Sequence, residues 1–445
     1  MECARLAAAT APCVAVERER ERGSRTRAQF AAARARGPSG ARISMGPMQR
    51  PERARAAAST DETMPEQAER SRHPLDPHKP VFSNLLPEFA RPYPSFEGWY
   101  TRLWDPESNF SAGMIMATNY ATQESQVTLV FTPAPRDVGP DASPAFELRT
   151  YAVADMSKEA RFQDGVYRED WPAEPVGFEW EAPGLGKLKM TAHETHLDMT
   201  VKGYSLKARL TDEILWDTEQ SEKGPEGWAK SFPIPTHWYV YSLGSKAEYE
   251  FSGPDGALAR KGTALAHCEK NWGLTFPNGH VWFQGFSKEN DAQILGSAAF
   301  FTLGSVKTPY IVSMGYRSPV INIDMRTNDL GTVFKNIEIK PLDGEFSVTG
   351  IHAKANPETL CESILAPMAK VKWESACRET FLAEITVEVY EHAAWGIAGD
   401  DKLIDKRTFL YAGLEFGEDL LKEATENLKK EDEDKQVERS RAIDS

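Results

Sequence analysis

Phe381-Leu382-Ala383-Glu384-Ile385-Thr386-Val387-Glu388-Val389 decides the fold class. Apolar side chains occupy every odd position of this stretch, while Glu384, Thr386 and Glu388 stand between them. A period of two sends the two sets to opposite faces of a strand, one buried and one wet, as in antiparallel sheets. The same alternation recurs in Leu197, Met199 and Val201, and in Tyr204, Leu206, Ala208 and Leu210. Further strand-sized apolar runs lie at 113–118, 126–132, 237–243, 280–286, 294–303, 310–316, 320–325 and 408–416. Turn residues separate them. Helical spacing is absent until Leu420, Leu421, Ala424 and Leu428, which mark a short C-terminal helix before a charged tail. Many strands and little helix predict an all-β chain of two lipocalin-like antiparallel barrels or half-barrels.

The 445 residues exceed one ordinary core, so two domains are expected. The polar stretch 218–235 is the best internal boundary. It divides an N-terminal barrel at 81–235 from a C-terminal barrel at 236–418, with the helix and tail at 419–445. Residues 1–80 read as a disordered leader, rich in Ala, Arg and Ser as a transit peptide is, although Glu17–Arg22 alternates Glu with Arg. No internal repeat is visible, and no run of 18 apolar residues could form a membrane-spanning helix.

Charge narrows the class of ligand. Residues 1–58 hold 12 Arg, no Lys and 5 acidic residues, a net +7 within a chain of −14, so the body carries −21. An acidic body argues against nucleic acid and against a polybasic grip on anionic lipid. The five Cys form no CxxC pair, so neither a zinc site nor a redox motif is signalled, and a reducing compartment suits them.

Three motifs couple a polar group to an indole. In Phe96-Glu97-Gly98-Trp99-Tyr100, strand alternation puts Glu97 and Trp99 on one face. Glu97 is then either a proton donor in an apolar pocket or a structural carboxylate at a barrel corner. Pro235-Thr236-His237-Trp238 opens another strand. Cys268-Glu269-Lys270-Asn271-Trp272-Gly273 is the densest polar-aromatic cluster, and Val281–Phe286 with Trp282 follows it. Glu269 and Lys270 are either site residues or an ion pair that fixes a loop. His193-Glu194-Thr195-His196 lies in strand-like sequence, where i and i+3 face apart, so it is not read as a metal site. No P-loop, GxSxG elbow or GxGxxG is present.

FEGWY at 96–100, PTHW at 235–238, EKNWG at 269–273 and Ala376-Cys377-Arg378 stand in an order that resembles the tocopherol cyclase family. The Trp strand at 281–286 and the late 412–417 segment fit as well, so the resemblance covers about residues 80–418. It implies a lipocalin-like two-barrel enzyme that closes a chromanol ring on a prenylated hydroquinone. An acid protonates a trisubstituted alkene, a tertiary cation develops, and the phenol oxygen attacks it. Glu97 and Glu269 are the candidate acids, with no choice between them. Trp99, Tyr100, His237, Trp238, Lys270, Asn271, Trp272, Trp282 and Arg378 are the candidate substrate contacts, and the indoles offer faces to a cation. The three motifs are expected to meet at one apolar pocket. The resemblance implies no metal or redox cofactor. It implies a plastid location and a peripheral association with plastid lipid bodies or membranes. Two other readings stand beside it: a non-catalytic carrier of prenyl lipids, and a pericyclase or hydratase acting on another polyene.

Overall fold

The structure is a computed structural model that describes residues 95–139, 146–164, 178–191, 194–216, 224–231, 234–303, 306–330, 332–369, 372–391 and 402–443. The expected leader at 1–80 lies outside the described residues. Two large antiparallel sheets account for most of the rest.

The first sheet contains β1 (Phe96–Asp105), β2 (Phe110–Asn119), β3 (Glu124–Thr132), β4 (Tyr151–Ser157), β5 (Arg161–Asp164), β6 (Phe178–Ala182), β7 (Gly186–Met190), β8 (Thr195–Val201), β9 (Tyr204–Thr211), β10 (Thr236–Ser252) and β11 (Arg260–Gly273). Its spatial order is β4-β3-β2-β1-β11-β10-β9-β8-β7-β6-β5, and it curls into a nearly closed barrel. Tight hairpins hold successive strands together. At the β8–β9 turn, Lys202 and Gly203 both adopt positive φ, 49° and 85°, between the paired Val201 and Tyr204. That is the two-residue turn whose twist matches the strands it joins, and glycine accepts it without strain.

The second sheet contains β12 (Gly279–Phe286), β13 (Gln293–Phe300), β16 (Ile311–Arg317), β17 (Asn322–Arg326), β18 (Glu338–Lys340), β19 (Glu345–Val348), β20 (Ile351–Lys354), β21 (Ile364–Ala369), β22 (Lys372–Glu391) and β23 (Lys402–Gly417). β14 (Thr302–Leu303) and β15 (Val306–Lys307) pair separately. The main order is β17-β16-β13-β12-β23-β22-β20-β19-β18, with β21 also on β22, and the sheet forms a half-barrel. The stretch 381–389 is the centre of β22, and its odd positions are buried as the alternation requires.

Two expectations change. The division between sheets falls at 274–278, between β11 and β12, and not at 218–235. The reason is pairing: β10 hydrogen-bonds β9, and β11 inserts between β10 and β1, so residues 236–273 complete the first sheet. The C-terminal helix, α1 (Glu418–Ile443), spans 26 residues and is not short. Leu420 and Leu421 anchor its first turn to the half-barrel core. The charged run beyond is rich in Glu and Lys, which are good helix formers, and Lys435 reaches Glu431 one turn away at 3.9 Å.

The sheets pack face to face along a ribbon of strands buried on both sides. In β1, Trp99 and Leu103 join the barrel core, while Tyr100 and Trp104 face the second sheet. Inside the barrel, Lys270 Nζ of β11 lies 3.0 Å from Glu97 Oε2 of β1, and both side chains are wholly buried. Tyr120 donates to the other Glu97 oxygen at 3.0 Å. The Lys270 ammonium also sits over the Trp99 and Trp272 rings, at 5.5 and 5.0 Å. Removing one partner of a dry ion pair leaves an uncompensated charge, which costs about 3–5 kcal/mol. Lys270→Met is therefore expected to lower the unfolding free energy by about that amount in a urea titration. Changing Glu97→Gln as well should recover part of the loss. An unchanged midpoint for Lys270→Met would show that the pair does not hold β1 to β11.

Candidate functional site

FEGWY, PTHW and EKNWG lie side by side on β1, β10 and β11, with β11 in the middle. Their register forms cross-strand rows. Glu97, Trp272 and His237 share one row, and Trp99, Lys270 and Tyr239 another. Gly98, Asn271 and Trp238 form a third, and Tyr100, Glu269 and Val240 a fourth. Directly paired residues share a face and adjacent rows alternate, so the motifs divide between two sides of one ribbon.

The side facing the barrel takes Glu97, Trp99, His237, Lys270 and Trp272. Trp99 packs on Phe178 and Trp180. His237 stacks on Trp272 with centroids 4.9 Å apart, and its Nδ1 lies 2.9 Å from Glu226 Oε2. The side facing the second sheet takes Tyr100, Trp238, Glu269 and Asn271, and β12 brings Trp282 to the same place. Of Glu97, Trp99, His237, Trp238, Glu269, Asn271 and Trp272, the residues expected at one pocket, Trp99, Trp238, Glu269 and Asn271 line the cavity between the sheets, while Glu97, His237 and Trp272 do not, because alternation sends neighbouring motif positions apart. Arg378 is not at the cavity either. Its Nε bonds Glu418 of α1 at 3.0 Å, and its side chain is half exposed. In the HETH segment, His193 lies outside the described residues, and His196 bonds Glu194 at 2.7 Å.

Between the sheets is a cavity of about 390 Å³. Its wall is largely apolar, with Ile115, Ile311, Val312 and Ile364 beside Tyr100, Trp238, Trp282 and Trp373. Glu269 is the polar centre of the ribbon wall. Its Oε2 accepts from Trp238 Nε1 at 2.9 Å and Trp282 Nε1 at 3.2 Å, and lies 2.8 Å from His267 Nε2. Its Oε1 accepts from Asn271 Nδ2 at 3.3 Å. The carboxyl is thereby locked in orientation by groups from three strands. Gly413 of β23 permits this packing, since a Cβ there would lie 2.9 Å from the Trp282 ring and 3.3 Å from Arg102.

A second set of acids lies beside it. The Tyr100 hydroxyl donates to Glu379 Oε1 at 2.5 Å, and its ring meets Trp282 edge-on at 5.2 Å. Glu379 is fully buried, and desolvation, with the charge of Glu415 next, holds its carboxyl well above the usual carboxylate range. Burial likewise pushes the Tyr100 phenol well up, reinforced by Glu379. Arg102 is buried beside them, bonded to Gln284 Oε1 at 2.5 Å and to the Tyr411 carbonyl, and desolvation lowers it to about 10. His280, Cys377 and Glu415 bring a nitrogen, a sulfur and an oxygen within 4.8 Å of one another. Hydrogen bonds account for their closeness: His280 Nε2 lies 2.5 Å from Glu415 Oε1, and the Cys377 thiol also bonds Glu415.

Sequence reasoning missed His267, His280, Glu379 and Glu415. A signal for Glu379 existed. Extending the odd-position alternation of 381–389 backward places Glu379 and Cys377 on the buried side, where a carboxylate is out of place. His267 likewise shares parity with Glu269.

Comparison with known proteins gives a partial likeness. No protein-family model matches the chain. The chain is 25% identical over 213 residues to "Probable tocopherol cyclase, chloroplastic" of Oryza sativa subsp. japonica, covering 45% of this chain and 44% of that one. It is 24% identical over 211 residues to "Tocopherol cyclase, chloroplastic" of Zea mays, covering 45% and 43%. The chain thus spans less than half the length of these curated relatives. Among solved structures, CghA with Sch210972 aligns at a TM-score of 0.44 with 9% identity, over 76% of this chain and 92% of that one. Kievitone hydratase from Nectria haematococca aligns at 0.36 with 10% identity, over 72% and 88%.

The geometry also sets cysteine chemistry. Burial pushes the Cys268 thiol up to about 12 and raises Cys361 and Cys377 as well. Only thiolates react readily, so all three should stay unmodified by a thiol reagent at pH 8 in the native protein and react once it is unfolded. Peptide mass spectrometry after alkylation checks this, and rapid native labelling of Cys377 would contradict the packing around the cavity.

Proposed function

We propose that the chain is an enzyme of the tocopherol cyclase type, closing the chromanol ring of a prenylated hydroquinone inside the cavity between its sheets. The observation that carries the reading is Glu269: one buried carboxyl, aimed by two indole N–H groups, on the wall of a largely apolar cavity. The two plant relatives support the reaction class and a plastid setting.

The reaction asks for little covalent chemistry from the protein. A proton must reach the alkene, a tertiary cation must survive briefly, and the phenolic proton must leave. The apolar wall suits the prenyl tail and excludes water, which would otherwise trap the cation as an alcohol. Tyr100, Trp238 and Trp282 supply aromatic rings, and an aromatic face near a desolvated cation contributes about 2 kcal/mol. Holding phenol and alkene in contact contributes up to roughly 7–11 kcal/mol. Glu269 is the carboxyl that exchanges a proton with the substrate. Glu97 has a different part, since Lys270 holds it on the barrel side. The substrate is a small lipophilic prenylated quinol, and no step requires a redox change.

Incubation with a phytyl-benzoquinol and analysis of the product tests this. The expected product is the chromanol isomer. Recovery of bound but unchanged quinol would favour a carrier, and a hydrated or differently cyclised product would favour a hydratase or pericyclase. Glu269→Gln preserves size while removing the carboxyl that exchanges the proton. It should lower turnover by about 10²-fold or more with KM little changed. Parental turnover in that variant would remove Glu269 from the mechanism.

A further inference from the structure

Two features of the cavity remain unused by that account. Tyr100 reaches the cavity while bonding a fully buried acid, and that acid has no ion-pair partner among the described residues. Glu379 Oε2 also lacks a hydrogen-bond partner among the described residues. An ionised carboxylate left so would be costly in a dry interior, whereas a neutral carboxylic acid tolerates it. The groups facing Glu379 are Tyr100 and Arg102 from β1, Glu269 from β11, Glu415 from β23, with His280 and the Cys377 thiol bonded to it, and Cys361, whose sulfur accepts the Glu379 amide at 3.4 Å. Three carboxyl groups thus share this space with one guanidinium.

We propose that Tyr100, backed by Glu379, is the acid that protonates the alkene, while Glu269 takes the phenolic proton. This rests on the function proposed above and divides its labour between two groups. The chemistry demands such a pair close together, because the carbon that gains a proton and the oxygen that loses one are only two bonds apart in the closing ring. Tyr100 and Glu269 satisfy that demand as direct cross-strand partners on the cavity face. Directly opposed residues in an antiparallel pair have Cβ atoms about 4.5–5.5 Å apart.

The step balances without a co-reactant. The alkene π pair forms a C–H bond with the Tyr100 proton as the Tyr100 O–H bond breaks. For this the Tyr100 hydroxyl, which donates to Glu379 Oε1 at rest, turns its proton into the cavity, and neutral Glu379 then donates its own proton to the Tyr100 oxygen across the same 2.5 Å contact and becomes a carboxylate. Arg102 faces the charge so formed, and its proximity favours it. The phenol oxygen bonds the cationic carbon, and its proton passes to Glu269. Transfer of one proton from Glu269 to Glu379, directly or through water, closes the cycle. The relay keeps Tyr100 neutral throughout, which matters because burial disfavours its phenolate.

The sign of the pH dependence follows. Glu379 must carry its proton, and its position well above the ordinary carboxylate range keeps that form present at neutral pH. Turnover should therefore persist at neutral pH and fall as pH rises through the raised value. The experiment compares the full chain with Tyr100→Phe and Glu379→Gln, using the phytyl-benzoquinol, with quinol binding followed by fluorescence. Each variant should bind quinol like the parent and lose about 10²-fold in kcat, and the double variant should lose no more than the worse single one. Glu379→Gln should also lose the parent's basic limb and the infrared C=O band of a protonated carboxyl at neutral pH. Variants within a few-fold of parental kcat, or a parent without that band, would overturn the relay while chromanol formation stands. A parent that makes no chromanol would overturn the relay together with the function it rests on.

Discussion

The buried pair of Glu97 and Lys270 is the constraint on which the site depends. It crosses diagonally between β1 and β11, since Glu97 pairs in register with Trp272 and Lys270 with Trp99. A slip of β1 by one residue would turn Glu97 out of the dry compartment, bring Tyr100 into it and leave Lys270 buried there without its carboxylate. The cost of such a slip is the cost of unpaired buried charge, so register is strongly specified. With that register held, the other face of the same strands presents Tyr100, Glu269, Asn271 and Trp238 to the cavity. One strand pair thus holds the structure together on one face and lines the cavity with the other.

The cavity face is unusual in its charge. Glu269, Glu379 and Glu415 gather beside a single buried guanidinium in a space with few water contacts. Carboxyl groups crowded in such a medium cannot all ionise, and the one with fewest donors holds its proton. Among the described residues Glu269 is addressed by indoles, an amide and an imidazole, Glu415 by His280 and the Cys377 thiol, and Glu379 by the Tyr100 hydroxyl alone. Environments that push neighbouring carboxyls toward different protonation states are how a protein assigns acid and base roles at one pH. The indole donors also serve packing, because their rings build the wall that keeps the cavity dry.

Much was legible in the residues themselves. Period-two alternation is a local property of the backbone, so strands such as 381–389, 197–201 and 204–210 could be read directly, and with them the all-β class. So could the motifs that matter, since indoles beside charges are rare outside packed sites. What could not be read was partnership. The polar stretch 218–235 looked like a boundary because composition changes there, yet pairing carries 236–273 back to the first sheet. The same long-range pairing decided which of two adjacent motif residues faces which compartment. Arg378 illustrates the point: one position from Cys377 and Glu379, it turns outward to α1.

The sequence by itself therefore determined the alternating strands, the absence of any apolar run long enough to form a membrane-spanning helix, and the identity of the polar-aromatic motifs. These follow from side-chain chemistry and from the two-residue repeat of an extended chain. Only the tertiary structure decided that Glu97 meets Lys270, that Glu269 meets Trp282, and that Tyr100 meets Glu379, which stands 279 residues away. The physical reason is that register and sheet stacking are set by burial summed over many distant strands, and no local pattern records which distant face a side chain will find.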